Sequence, residues 1–133
     1  MDGNETPSKI DLQFAEEKII FLICDCSLDK KYSFYGLSRE QATRFIKKLQ
    51  FFEQMTWKQL AARPRDIGLT CEDSSSTSFA LVHEQNTSAR KFMEQYYFHF
   101  RIEPTGKFRV FGYQKGQYFC ITHIDPAGKI HDH

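Results

Sequence analysis

The 133-residue sequence lacks most signatures that would announce a chemistry. It has no run of about 18 apolar residues, so no transmembrane helix is expected. Its polar, acidic start lacks the basic-then-apolar order of a signal peptide, which points to a cytoplasmic protein with no membrane partner. There is no G-x-S-x-G, no Walker loop, no dinucleotide glycine motif and no H-E-x-x-H. The four cysteines, Cys24, Cys26, Cys71 and Cys120, include no C-x-x-C pair. They suggest reduced thiols with a packing role rather than a disulfide framework, with Cys24 and Cys26 on one strand face. No repeat or low-complexity tract is present, and the net charge is only +1.

What the chain does have is aromatic, apolar bulk. Hydrophobic residues make up 41% and aromatic residues 15%, with 13 Phe, which excludes a disordered chain. The length suits a single domain over residues 1–133. The charge is unevenly spread. Residues 38–67 carry seven basic against three acidic groups and residues 89–133 seven against four, whereas residues 1–37 and 68–88 are net acidic. A nucleic-acid footprint needs a positive patch, not a positive total.

The organising stretch is residues 96–133. YYFHFRI, KFRVFGY and YFCITHID are aromatic-rich runs separated by EPTG and QKGQ. They read as a three-stranded antiparallel meander. A two-residue loop at Lys115-Gly116 pairs Tyr113 with Tyr118, Gly112 with Phe119 and Phe108 with His123. A three-residue loop at Pro104-Thr105-Gly106 pairs Ile102 with Phe108 and Phe100 with Val110. One face then holds Phe98, Phe100, Ile102, Phe108, Val110, Phe119 and Ile121, with Gly112 leaving room beside Phe119. The other holds Tyr97, His99, Arg101, Arg109, Phe111, Tyr113, Tyr118, Cys120 and Thr122. Arg101 lies opposite Arg109, an unfavourable pair that an anion between them would relieve. Arginines among aromatic rings suit phosphates and stacked bases. A half-exposed sheet face that merely carries aromatics is the plainer alternative.

Upstream, residues 1–16 read as a flexible arm and residues 17–26 as a central strand. Ser38 opens a helix through a capping box with Gln41. Ala42, Phe45, Ile46, Leu49 and Phe52 form its apolar stripe, with Arg44, Lys47 and Lys48 turned away. Thr56 and Gln59 open a second, short helix that Pro64 ends. Residues 65–95 form an insertion with one short strand at 79–83. The expected fold is α+β: a mainly antiparallel sheet with a C-terminal meander and a helical hairpin packed on one face.

The tail concentrates His123, Asp125, Lys129, His131, Asp132 and His133. A metal site from these residues is one reading, but H-x-H at a chain end is commonly frayed, so no metal or other cofactor is assigned. Cleavage of RNA by its own 2′-hydroxyl needs a base, cations for the phosphate and an acid, and no metal. Arg101, Arg109, His99, Tyr113, Lys107, His123 and His131 offer all three.

A strand, a pair of helices and FRIEPTGKFRVFGYQKGQYFCITHIDPAGKIH resemble the RelE-type bacterial toxins, with their YoeB and HigB branches. The resemblance spans residues 38–64 and 96–131 and is one of pattern. It implies a small endoribonuclease that cleaves mRNA, often on the ribosome, and is neutralised by a cognate antitoxin. Arg101 and Arg109 would hold the scissile phosphate. His131 would be the late catalytic histidine, with His123 or His99 as alternates, and Tyr113 would stack or orient a base. Lys107, Lys115, Tyr97, His99, Phe111, Tyr118, Lys47 and Lys48 would contact RNA. The chain departs from the family in its length, its low net charge and the 65–95 insertion. The competing reading is a non-catalytic protein- or RNA-binding adaptor of phage or mobile-element origin.

Overall fold

The computed structural model describes residues 10–73 and 96–130. Its elements run β1 (Ile20–Leu22), α1 (Arg39–Phe52), α2 (Trp57–Ala62), β2 (Thr70–Asp73), β3 (Tyr96–Arg101), β4 (Arg109–Lys115) and β5 (Tyr118–Asp125). The five strands form one sheet in the order β1-β5-β4-β3-β2. Only β1 is parallel to its neighbour, β5; the other pairings are antiparallel. The chain is therefore α+β, as its pattern implies.

Both capping boxes form. Ser38 Oγ accepts from the Gln41 amide at 3.1 Å and the Gln41 side chain accepts from the Ser38 amide at 2.9 Å. Thr56 and Gln59 repeat the arrangement at the same distances. Each box satisfies two amide groups that the first helical turn leaves without partners. Arg63 ends α2 in extended backbone, the conformation a following proline favours.

The helices cover the expected apolar face. Phe98, Phe100, Ile102, Phe108, Val110, Phe119, Ile121 and Ile124 form one buried cluster with Phe45, Phe52, Trp57 and Leu60. The Phe52 and Phe100 rings lie 4.9 Å apart, and Trp57 stacks 6.2 Å from Phe119. The Trp57 indole also donates to the Gln117 carbonyl at 2.8 Å, so its one polar atom is satisfied while the ring is fully buried. Gly112 is required here: a Cβ would stand 2.3 Å from the Cys120 carbonyl oxygen and 2.5 Å from the Phe119 ring.

Several expectations change. Ile46 is not in the core but 41% exposed. The first strand is only three residues long, because the chain turns at Ile23, where the Cys26 amide bonds back to the Ile23 carbonyl. Cys24 and Cys26 therefore sit in a loop, not on a strand face. From Ile10 onward the N-terminal segment is docked, not loose. Ile10 and Ala15 are buried, the Asp11 amide donates to Gln114, and the Lys58 amide donates to the Ala15 carbonyl. The segment 65–73 supplies the edge strand β2. The strand expected at 79–83 lies outside the described residues, as do positions 1–9 and 131–133.

The β3–β4 register is the expected one, with Phe100 opposite Val110 and Arg101 opposite Arg109. The β4–β5 register is not. The two-residue loop is Gly116-Gln117, so Lys115 faces Tyr118, Tyr113 faces Cys120 and Gly112 faces Ile121. Gly116 takes the positive φ of 64° that this turn needs. Beyond Ile121 the strand bulges at Thr122, and pairing resumes with Phe111 opposite His123 and Arg109 opposite Asp125. The bulge is held from both sides. Thr122 Oγ1 donates to the Phe111 carbonyl at 3.2 Å, and the Thr122 carbonyl accepts from the Ser27 amide at 2.7 Å. An extra residue reverses which side chains point to which face. His123 therefore leaves the face of Phe108 and joins that of Phe111, and Ile124 takes its place in the core.

Candidate functional site

The bulge assembles two neighbouring rows on the sheet face away from the helices. One row runs Thr70–His99–Phe111–His123 across β2, β3, β4 and β5; the next runs Arg101–Arg109–Asp125. Four candidates from the sequence, His99, Arg101, Arg109 and His123, thus share one end of one face.

Two residues that pattern did not single out complete the group. Glu72 Oε2 lies 2.9 Å from His99 Nε2 and 3.4 Å from Arg65 Nη2. Burial holds the His99 imidazole below its ordinary pKa of 6.5, against the opposing pull of Glu72. The ring is therefore neutral, with Nε2–H donating to the carboxylate. Arg109 is held below its ordinary range by burial first, then by Arg101, with Arg65 adding and Asp125 opposing. Arg109 thus feels the charge of both Arg101 and Arg65, and the Arg101–Arg109 pair is the like-charged cross-strand pair the alternation implies. Both are half-buried and turn towards the β3–β4 loop. Arg101 Nη1 donates to the Pro104 carbonyl at 3.0 Å and Arg109 Nη1 to the Gly106 carbonyl at 3.3 Å.

No family model, curated protein or solved structure matches this chain. Its chemistry has to be read from its own side chains.

The rest of the face is not the open, concave surface that RNA stacking would use. Tyr97, Phe111 and His123 are fully buried, and His99 and Tyr113 are 3% exposed. His123 Nδ1 lies 3.0 Å from Thr122 Oγ1 and its ring meets Tyr32 edge-on at 5.4 Å. Tyr113 is two residues further along β4 from Phe111, and its hydroxyl donates to the Asp25 carboxylate. Burial and that hydrogen bond raise the phenol well above its ordinary value, so it stays protonated. Asp125 is buried and spends both carboxylate oxygens on the turn that follows: Oδ1 accepts from the Lys129 amide at 3.0 Å and Oδ2 from the Ile130 amide at 2.9 Å. Ile130 packs onto Tyr97, Phe111, Tyr113 and Cys120. The tail is thereby fixed across this face up to the residue before His131, which lies outside the described residues.

The remaining candidates are dispersed. Lys107 is exposed in the β3–β4 loop, against Gly128 of the tail turn. Lys115 and Tyr118 pair at the opposite end of the sheet, six residues along β4 from Arg109 and so ~20 Å away. Lys47 and Lys48 lie on α1, which covers the other face of the sheet.

Among the described residues, no group of three His, Cys, Asp or Glu side chains could hold a metal ion, and no helix is long and apolar enough to cross a membrane. Arg65 and Glu72 escaped the sequence reading because they fall in a stretch without periodicity. The only local hint for Glu72 is a four-residue run, TCED, too short to separate from a loop.

Proposed function

We propose that this chain is a metal-independent, RelE-like endoribonuclease whose site is the arginine end of the second sheet face. The observation that supports the reading is the placement of the Arg101–Arg109 pair on the same face as, and next to, the His99–Glu72 pair that Arg65 joins. Arg101 and Arg109 would bind the scissile phosphate and stabilise its developing charge, each guanidinium leaving its loop carbonyl for the anion. The Glu72 carboxylate, with neutral His99 beside it, would accept the 2′-hydroxyl proton. His131, the late histidine that the resemblance implies, would protonate the leaving 5′-oxygen. His123 and Tyr113 are reassigned from contact roles to positioning ones, since their polar atoms are already engaged inside the fold. mRNA would be the substrate and a cognate antitoxin the natural inhibitor.

The test is cleavage of a labelled mRNA by the purified chain in excess chelator, alone and with ribosomes. Cleavage that disappears in Arg101→Ala/Arg109→Ala supports the reading. The deep burial of His99 and His123 favours the second reading, a non-catalytic RNA-binding module. That reading is distinguished by RNA retention, lost in the same double variant, without product in either assay.

A further inference from the structure

The outward side of the two helices carries a second surface, unrelated to the arginine end. α1 buries Phe45 and Phe52 and leaves Phe51 45% exposed. Phe51 forms a ridge between two shallow depressions. One, of about 360 Å³, is lined by Gln54, Met55, Gln59 and Arg63. The other, of about 350 Å³, is lined by Arg44, Lys47, Lys48, Ile102 and Glu103.

The charges around this ridge are unbalanced. Arg44 is neutralised by Glu40 at 2.8 Å and by Glu103. Lys47, Lys48 and Arg63 form no ion pair among the described residues. Burial and the nearby Arg63 hold the Lys48 ammonium below its ordinary value. Arg63 is fixed by a 2.8 Å bond from Nε to the Ile67 carbonyl and sits 5.2 Å over the Phe51 ring. Three cations with no counter-ion among the described residues thus surround a half-exposed aromatic flanked by two mixed apolar and polar hollows.

We infer that this ridge docks an acidic, amphipathic peptide segment of a partner protein. Two apolar side chains one helical turn apart would straddle Phe51 and enter the two hollows. Carboxylates beside them would pair with Lys47, Lys48 and Arg63. A nucleic acid fits less well. The ring face on which a base would stack is occupied by Arg63, and Glu103 lines the hollow where a phosphate chain would run.

The probe is a fluorescein-labelled synthetic peptide of about 16 residues, long enough for several turns, with leucines at helical spacing and glutamates between them. Anisotropy is read with the full-length chain. The expected result is saturable binding, weakened about tenfold in Lys47→Glu/Lys48→Glu and about tenfold in Phe51→Ala. Salt at about 0.5 M should also weaken it. A lysine version of the peptide should not bind. Thermal melts of both variants check that they fold; Lys47 and Phe51 are exposed and Lys48 is half-buried. No binding of the glutamate peptide, or binding unchanged in the variants, overturns the inference. So does displacement by a single-stranded RNA that itself loses affinity in the same variants, which would make the ridge a nucleic-acid surface. None of these outcomes depends on whether the chain cleaves RNA.

Discussion

On the helix side of the sheet, Phe98, Phe100, Val110 and Phe119 meet Phe45, Phe52 and Trp57. On the other side, Tyr97, His99, Phe111 and His123 are buried just as deeply, but several carry polar atoms. The helix side needs only shape and volume, and each ring contributes in proportion to the apolar area it hides. The other side needs named partners: Glu72 for His99, Asp25 for Tyr113, Thr122 for His123 and two backbone amides for Asp125. A buried polar group left without such a partner costs far more than an apolar one. The first face is therefore tolerant of polar detail and intolerant of lost volume; the second is intolerant of both. Specific chemistry is expected on the second.

The comparison can be broken most forcefully in the core. Phe100→Ala should lower unfolding free energy by about 3–5 kcal/mol, measured by urea titration, through lost transfer energy and the cavity left behind. The smaller Arg101→Ala/Arg109→Ala change should leave the melting temperature nearly unaltered, because it removes a like-charged pair. The same variant should cut RNA cleavage about a hundredfold or more if the proposed site is right. A large stability loss in it would show that the arginines serve the fold instead. Gly112→Ala comes next, at about 1–3 kcal/mol, since the new methyl has to displace strand backbone at Cys120. Ser38→Ala should cost about 1 kcal/mol through loss of the α1 cap, with the second face and any cleavage unaffected.

The smallest effect is one of pH. Because the folded state holds the His99 pKa below 6.5, the unfolded chain binds the proton more readily. That contribution to stability is present above 6.5 and is lost as pH falls from there towards the lowered folded value. His99→Gln should flatten the stability profile in that window, seen in melts between about pH 5 and 7. An unchanged profile would place the titrating group elsewhere.

Much of the first face was legible in the sequence. Alternation and the 104–106 loop placed Phe98, Phe100, Ile102, Phe108 and Val110 correctly, and both capping boxes were visible as four-residue strings. Ile46 lies at the edge of its stripe, and a helix only 14 residues long does not fix where such an edge falls. The second face was legible in membership but not in condition. Pattern listed Tyr97, His99, Arg101, Arg109, Phe111 and Tyr113 together, yet nothing local foretold their burial, which depends on the segment 23–32 and the tail turn folding back. Glu72 and Arg65 came from a stretch with no period at all. His123 was assigned to the wrong face because Thr122 is an ordinary β-branched strand residue, and its bulge is set by the Ser27 amide, 95 positions away.

That bulge also constrains how this chain can change over generations. Were the bulge to close with Thr122 taking an ordinary ladder place opposite Phe111, every later side chain of β5 would change face. Ile124 would then confront the arginines, and His123 and Asp125 would be driven under the helices. Deletion of Thr122 would by contrast leave His123 opposite Phe111 and Asp125 opposite Arg109. Related chains should therefore be able to lose the extra residue while keeping both faces, but not to keep it in a straight strand.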